Sequence, residues 1–425
     1  METNKTIDKL MRKAGLGGVT GRIKPVSGGL MHRMFKVTTQ SGTYAVKCLN
    51  PEIMKRPEAK ANYRTAEACE KRLEEAGIPM VPALTFGKRK MLSVDGAYFY
   101  IYRWQKGAIT DESGATPSQC KKAGELLGRI HAIDSKILPA KKCGEPEVSD
   151  VDFAGLAKLA AEKKSPVAKL LQESVPMLAD AQEKLNAARQ NLPPVLSICD
   201  GDMDPKNVMW FRGKPYVIDL ECLSYDNPVG SCLDLALQWS GLTNGAFRRE
   251  SLAAFFEGYR KSYDNGFVDY DSLFGVAYTW IEWLAYNIRR ALGLEGENEA
   301  ELGESEVRNT IGRIRAIGES EGEITAALRE VRVRAMEALS DRASELLDKL
   351  ERQGIRRAYV EELSGAIKVL SAYYDGPKWK EDFAADEAGA FGADVKRGVL
   401  SEDGLYDLLE RWSEWVEENC RKENR

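Results

Sequence analysis

Residues 197–221, SICDGDMDPKNVMWFRGKPYVIDLE, decide the fold of this chain. Val208–Phe211 and residues 216–219 read as two short strands, and Arg212-Gly213-Lys214-Pro215 between them is turn chemistry. Gly213 lies midway between Asn207 and Asp219. A hairpin centred there predicts those two side chains directly opposite, with Cβ atoms roughly 4.5–5.5 Å apart. An amide oxygen and a carboxylate at that separation can share a hard cation, which prefers oxygen ligands. Asp202 precedes the first strand on a loop, free to accept a proton from an alcohol.

An isolated loop aspartate is usually a turn former or a helix cap. The combination is more specific: an Asp, an Asn five positions on, a hairpin, and an Asp after an apolar strand. Phosphoryl transfer needs this set, with a catalytic-loop Asp and Asn followed by a metal-binding Asp. At these residues the chain resembles the aminoglycoside phosphotransferase and choline kinase family, whose loop usually reads His-Gly-Asp-x-His-x-x-Asn. Here it reads Asp200-Gly201-Asp202-Met203-Asp204-Pro205-Lys206-Asn207, so aspartates replace both histidines. A carboxylate cannot donate the hydrogen bond that an imidazole can. The resemblance implies an α+β, two-lobed protein-kinase-like fold, with a small antiparallel β-sheet in the N-lobe and a mostly helical C-lobe. It implies Asp202 as the catalytic base and Asn207 and Asp219 as Mg²⁺ ligands. The His-Arg-Asp, Asp-Phe-Gly and Ala-Pro-Glu triplets of protein kinases do not occur, which argues for a small-molecule acceptor. Downstream, Asp226-Asn227-Pro228 and Asp234-Leu235-Ala236 resemble further family segments, and a helix or loop cap is the alternative reading of Asp234.

The N-terminal stretch fits a nucleotide-binding lobe. Ser27, Gly28 and Gly29 form a turn entering a strand at 34–38, and a second strand follows at 43–49. Glycines there let backbone N–H groups approach phosphate oxygens. Ala45-Val46-Lys47 resembles the kinase strand whose lysine pairs α- and β-phosphates. Such a lysine needs an orienting carboxylate. Residues 57–76 read as a helix stopped by Gly77 and Pro79, with Cys69, Leu73 and Ala76 on its inner face. Glu67 falls near the position of the family's helix glutamate, and Glu70 is the alternative. Residues 97–104 read as a buried strand, and the resemblance makes Tyr102, Arg103 and Trp104 the hinge whose backbone holds a purine. His131, in a helix at 123–133, is read as packing.

Composition bounds the remaining possibilities. A chain of 425 residues with a net charge of −4 has room for roughly two or three domains and carries no general nucleic-acid footprint. No apolar run reaches membrane-spanning length, and the N-terminus lacks a signal-peptide core. The eight cysteines never form C-x-x-C, so reduced buried thiols in a cytoplasmic protein are expected. With His32 and His131 as its two histidines, the chain has few candidates for a histidine metal site or a serine–histidine hydrolase.

Residues 152–190 and most of the chain after Pro228 read as helical, with Trp280, Trp283, Leu284 and Asn287 on one core helix and Arg289 and Arg290 near its end. Glu295, Glu297, Glu299, Glu301, Glu304 and Glu306 form an acidic run. It is either a solvated segment or an attractor for a polycationic acceptor. On the second reading, neutralising these residues raises KM for a cationic acceptor and leaves KM for ATP alone; equal KM values discard it. Beyond about residue 318 the family's usual length is exhausted. Residues 324–350 and 358–374 read as helices broken at Gly354, and residues 373–410 resemble a small bacterial domain of unknown function. The expected organisation is a nucleotide-binding lobe at 1–104, a catalytic and acceptor-binding lobe at 105–318, and a helical accessory or oligomerisation domain at 319–425.

The expected activity is transfer of the γ-phosphoryl group of ATP or GTP to a small polar hydroxyl compound such as an aminoglycoside, with Mg²⁺ as cofactor. A metabolic kinase for choline, an amino alcohol or a sugar is one alternative, and a nucleotide-binding scaffold without turnover is another. Asp204 and Glu221 could bind ammonium groups of the acceptor or assist the metal; capping of the loop and hairpin is their other reading.

Overall fold

The structure is a computed structural model, described for residues 2–26, 31–110, 114–133, 148–242, 245–295, 299–353 and 356–423. The chain folds as two compact units, Met1–Asp264 with Val276–Ile314, and Asn265–Gly275 with Arg315–Arg425.

The first unit opens with α1 (Glu2–Lys13) and a five-stranded antiparallel sheet of β1 (Lys24–Val26), β2 (Arg33–Thr39), β3 (Gly42–Cys48), β4 (Leu92–Val94) and β5 (Ala97–Arg103), in the order β1-β2-β3-β5-β4. Strand alternation sends Val37, Tyr44, Val46, Phe99 and Ile101 to one face, where they pack on Ile7, Leu10 and Met11 of α1. Lys47 and Tyr100 are paired across β3 and β5, which puts both on the opposite face. After the short α2 (Pro51–Met54), α3 (Ala59–Glu75) covers that face and buries Tyr63, Ala66, Cys69, Glu70 and Leu73. Ala76, expected on the buried side, is the exposed C-cap.

The helical lobe is built on α4 (Pro117–His131), α5 (Phe153–Glu162) and α6 (Ala168–Gln190), followed after residues 197–226 by α7 (Pro228–Trp239), α8 (Arg249–Ser262), α9 (Trp280–Ala291) and α10 (Ala300–Glu319). Helices α4 and α8 cross at glycines: a Cβ on Gly258 would lie 1.9 Å from the Lys121 carbonyl oxygen, and one on Gly124 2.0 Å from that of Phe255. Only glycine permits so close a backbone approach. Between α6 and α7 in the chain come two small antiparallel pairs, β6 (Ser197–Asp200) with β9 (Leu223–Asp226), and the hairpin β7 (Val208–Phe211) with β8 (Lys214–Val217).

The second unit packs α11 (Glu321–Gln353), α12 (Arg357–Tyr374), α13 (Pro377–Glu387) and α14 (Glu402–Glu423) around Leu346, Leu347, Leu363, Leu370 and Leu405. The accessory domain expected at 319–425 is joined here by residues 265–275, and Val268 of that segment packs on the core. The Arg332 guanidinium, 1% exposed, fastens the segment. It donates to both Asp382 oxygens at 2.8 and 2.6 Å, to Asp269 at 2.9 Å, and to Asp271. A buried cation is tolerated only with such complete pairing. Among the described residues no helix is long and apolar enough to cross a membrane.

Candidate active site

The hairpin forms where the sequence places it, shifted by half a step. Phe211 pairs with Lys214 and Val208 with Val217, so the turn is the two residues Arg212 and Gly213, with φ of +50° and +73°. Two positive φ values are the signature of a tight primed turn, whose twist matches that of the strands it joins. Asn207 therefore faces Ile218, whose N–H donates to the Asn207 carbonyl oxygen at 2.9 Å. The expected direct opposition of Asn207 and Asp219 is thus corrected by one residue. Asp219 follows in the left-handed region at φ +61°, ψ +57°, a conformation that aspartate tolerates better than most residues.

The loop before the hairpin is tied to itself. The Asp204 carboxylate accepts from the backbone N–H of Lys206 at 3.0 Å and of Asn207 at 3.3 Å, capping the 3₁₀ turn Pro205–Asn207. Asn207 donates both amide hydrogens to Asp202, one to the carbonyl oxygen and one to Oδ2, each at 2.8 Å. This turns the Asn207 Oδ1 away from Asp202 as an acceptor for another group. The Lys206 ammonium bridges Asp202 Oδ1 at 3.2 Å and Asp204 Oδ2 at 2.7 Å. Burial holds the Asp202 carboxyl above its ordinary value despite the Lys206 charge beside it. The sequence reading missed Lys206, although its place between Asp204 and Asn207 was visible.

Lys47 reaches this loop from the sheet. Its ammonium is 3% exposed and lies 2.5 Å from Asp219 Oδ1 and 2.6 Å from Glu221 Oε2. Burial alone would lower its pKa, but the two carboxylates outweigh that and raise it. Glu221 Oε1 lies 3.0 Å from His32 Nε2. Burial opposes ionisation of Glu221, yet the His32 hydrogen bond and the Lys47 charge bring its carboxyl down to about 2. The expected Lys47–Glu67 pair is not formed: Glu67 accepts from the Tyr100 hydroxyl at 2.8 Å. Glu70 is also engaged elsewhere, with the Ala83 N–H at 2.7 Å and Lys90 at 3.0 Å. Thus Asp204 caps its own loop and pairs with Lys206, and Glu221 pairs with Lys47 and His32.

The remaining expected residues are placed as follows. Ser27, Gly28 and Gly29 lie outside the described residues. Tyr102 and Arg103 pair with Ala45 and Tyr44, and the Trp104 N–H donates to the Thr43 carbonyl oxygen at 3.0 Å. That amide is engaged in the sheet. His131 is buried against Tyr259, at 2.8 Å from its hydroxyl, and burial lowers its pKa to about 3. Asp234 lies inside α7 and caps nothing; Asn227 is the N-cap. The Asp234 carboxylate accepts from Gln238 at 3.0 Å and from Thr279 at 3.3 Å. In the acidic run, Glu295 meets Arg289, Glu299 meets Arg290, and Glu306 accepts from the Trp283 indole.

Asp200 is fully buried at the end of β6. Its Oδ1 accepts from the Asp202 N–H at 3.2 Å, and its Oδ2 meets no hydrogen-bond partner among the described residues. Burial, with the neighbouring Asp202, Asp219 and Asp204 charges, pushes its carboxyl up to about 8. At neutral pH it is therefore a neutral acid with a proton to give, as an imidazole has. Its folded pKa is raised, so the folded state holds a proton that the unfolded chain releases above pH 4. Stability falls by roughly 1.4 kcal/mol per pH unit between those two values. In metal-free protein, Asp200→Asn should raise the melting temperature at pH 7.5 and leave it nearly unchanged at pH 4. A difference that stays constant across that range would show that Asp200 is ionised throughout.

Among the described residues, no cluster of three or more His, Cys, Asp or Glu side chains could hold a metal ion. A cation here needs the Asn207 amide oxygen, the Asp219 carboxylate and oxygens supplied by a ligand. That donor set suits Mg²⁺, which is commonly held by one or two carboxylates plus substrate phosphates.

The profile of the phosphotransferase enzyme family matches residues 22–273, and that of a domain of unknown function (DUF4298) matches residues 333–422. The first match extends into the segment that folds with the second unit. A search of curated proteins finds no relative. A spectinomycin phosphotransferase in complex with ADP and spectinomycin is similar at 13% identity and a TM-score of 0.54, over 74% of this chain and 98% of that one. An amicoumacin kinase in complex with AMP-PNP, Ca²⁺ and Ami is similar at 13% identity and a TM-score of 0.51, over 74% and 94%. At such identity the likeness is one of fold.

Proposed function

Because the chain belongs to the phosphotransferase enzyme family, we propose that it transfers the γ-phosphoryl group of ATP or GTP to a hydroxyl of a small, polar, cationic molecule such as an aminoglycoside. One observation carries this reading. Lys47 on the sheet meets Asp219 on the post-hairpin loop, 172 residues away, beside the bonded pair Asp202 and Asn207. A buried lysine, an amide oxygen and two carboxylates converge where charge on a triphosphate would need neutralising.

The residues divide the work by their chemistry. Lys47 grips the α- and β-phosphates. Asn207 Oδ1 and the Asp219 carboxylate hold Mg²⁺, which when bound neutralises phosphate charge. Asp202, kept in one orientation by the Asn207 amide, aligns the acceptor hydroxyl and takes its proton late in a loose transition state. Asp204 and Asp200 support the loop from beneath. Most of the acceleration comes from positioning and fixed charge, not covalent chemistry. The carboxylates of Asp202, Asp204 and Asp219 also favour an acceptor bearing ammonium groups.

The test is ADP release in a panel of aminoglycosides, macrolides, amino alcohols and sugars, with product mass as the second readout. At least one cationic acceptor should gain a phosphoryl group. Binding of Mg²⁺–ATP without turnover on any acceptor would favour a nucleotide-binding scaffold instead.

A further inference from the structure

Lys47 has two carboxylate partners, and on the proposed reading one of them is needed elsewhere. With nucleotide bound, the Asp219 carboxylate would hold the metal. Glu221 then remains as the carboxylate at 2.6 Å from the Lys47 ammonium. The helix carboxylates that could replace it are engaged: Glu67 by the Tyr100 hydroxyl, Glu70 by Lys90 and the Ala83 N–H.

Glu221 is itself held. The Asn50 backbone N–H donates to His32 Nδ1 at 2.9 Å, so Nδ1 carries no proton. The imidazole proton is thereby assigned to Nε2, which faces Glu221 Oε1 at 3.0 Å. The Tyr63 hydroxyl of α3 lies 3.3 Å from the same nitrogen. His32 is 7% exposed, so its orientation is fixed by burial as well as by these bonds. The ring joins the entrance of β2, the end of β3 and the loop that carries Asp219.

We propose that Glu221, aimed by His32, is the carboxylate that orients Lys47 during turnover, and that His32 is a positioning residue for nucleotide binding. The inference rests on the phosphotransferase reading of the same site. It replaces a helix-borne partner for the strand lysine with one borne by the metal loop. Nucleotide grip and metal ligation are thereby coupled through residues 219–221. A displaced Glu221 loosens Lys47 without touching Asp202.

The test compares His32→Phe, which keeps a ring and loses the donor, with His32→Gln, which keeps an N–H near the Nε2 position. Both are made in the full chain, and AMP-PNP binding with Mg²⁺ and melting temperature are measured for each. His32→Phe should weaken AMP-PNP binding roughly 10–100-fold, the scale for a partner that orients a direct ligand. His32→Gln should recover most of that loss, with both variants melting close to wild type. Glu221→Gln should weaken binding at least as much as His32→Phe. Equal losses in both His32 variants, tracking a lowered melting temperature, would reduce His32 to a packing residue and overturn the proposal. Unchanged AMP-PNP affinity in His32→Phe would overturn it as well. Wild-type protein that fails to bind AMP-PNP would instead sink the phosphotransferase reading, and this inference with it.

Discussion

Asp202→Asn lowers kcat by roughly 10²–10⁴, the usual contribution of a general base, while Mg²⁺–ATP affinity stays near that of wild type. The expectation follows from how Asp202 is bonded. Its Oδ2 takes a hydrogen from the Asn207 amide and its Oδ1 lies 3.2 Å from Lys206. An asparagine keeps the size of the side chain and one acceptor oxygen. It loses the charge that receives a proton. On the proposed reading nucleotide affinity rests on Lys47, Asn207 and Asp219, which the substitution leaves in place. Steady-state kinetics with the best acceptor separates the two parameters, and full turnover in the variant would remove Asp202 from the role of base.

The second large effect is at Asp219, and it falls on binding. Asp219→Asn suits the left-handed backbone at φ +61° as aspartate does, so loss of charge is isolated from backbone strain. Asp219→Ala adds strain and serves as the comparison. Truncating one partner of a close charged pair costs roughly 2–5 kcal/mol, which is about 30-fold to a few thousand-fold in Kd for Mg²⁺–nucleotide. Calorimetry with AMP-PNP at several Mg²⁺ concentrations reads this directly. The loss should be much smaller when Mg²⁺ is absent, because Asp219 then contributes only through Lys47.

Local chemistry made much of this legible in the sequence. The glycine turn ahead of residue 34 marked β2 and β3, the bulky run at 97–104 marked β5, and Gly77 with Pro79 marked the end of α3, whereas β1 and β4, three residues each, carried no signal. The hairpin was visible as well, but not its register. That depends on Arg212 adopting a positive φ, which its residue type disfavours, so the turn closed on two residues instead of centring on Gly213. The partner of Lys47 was not legible, because Glu221 lies 174 residues away and the family resemblance pointed to Glu67 or Glu70 on α3. His32 stands in no motif; it acquires a task only when the fold brings Asn50 and Glu221 to its two nitrogens. The protonation of Asp200 is equally a product of the fold. Burial sets it, and the sequence shows an aspartate where the family's loop has a histidine.

The most direct test is a crystal structure of the full chain with Mg²⁺ and AMP-PNP. The metal should lie about 2.0–2.1 Å from Asn207 Oδ1 and from an Asp219 oxygen, the ordinary Mg²⁺–oxygen distance. Lys47 should contact the α- and β-phosphates while retaining Glu221, with Asp202 facing the γ-phosphate. A nucleotide bound away from Lys47, or a metal held by neither Asn207 nor Asp219, would contradict the account.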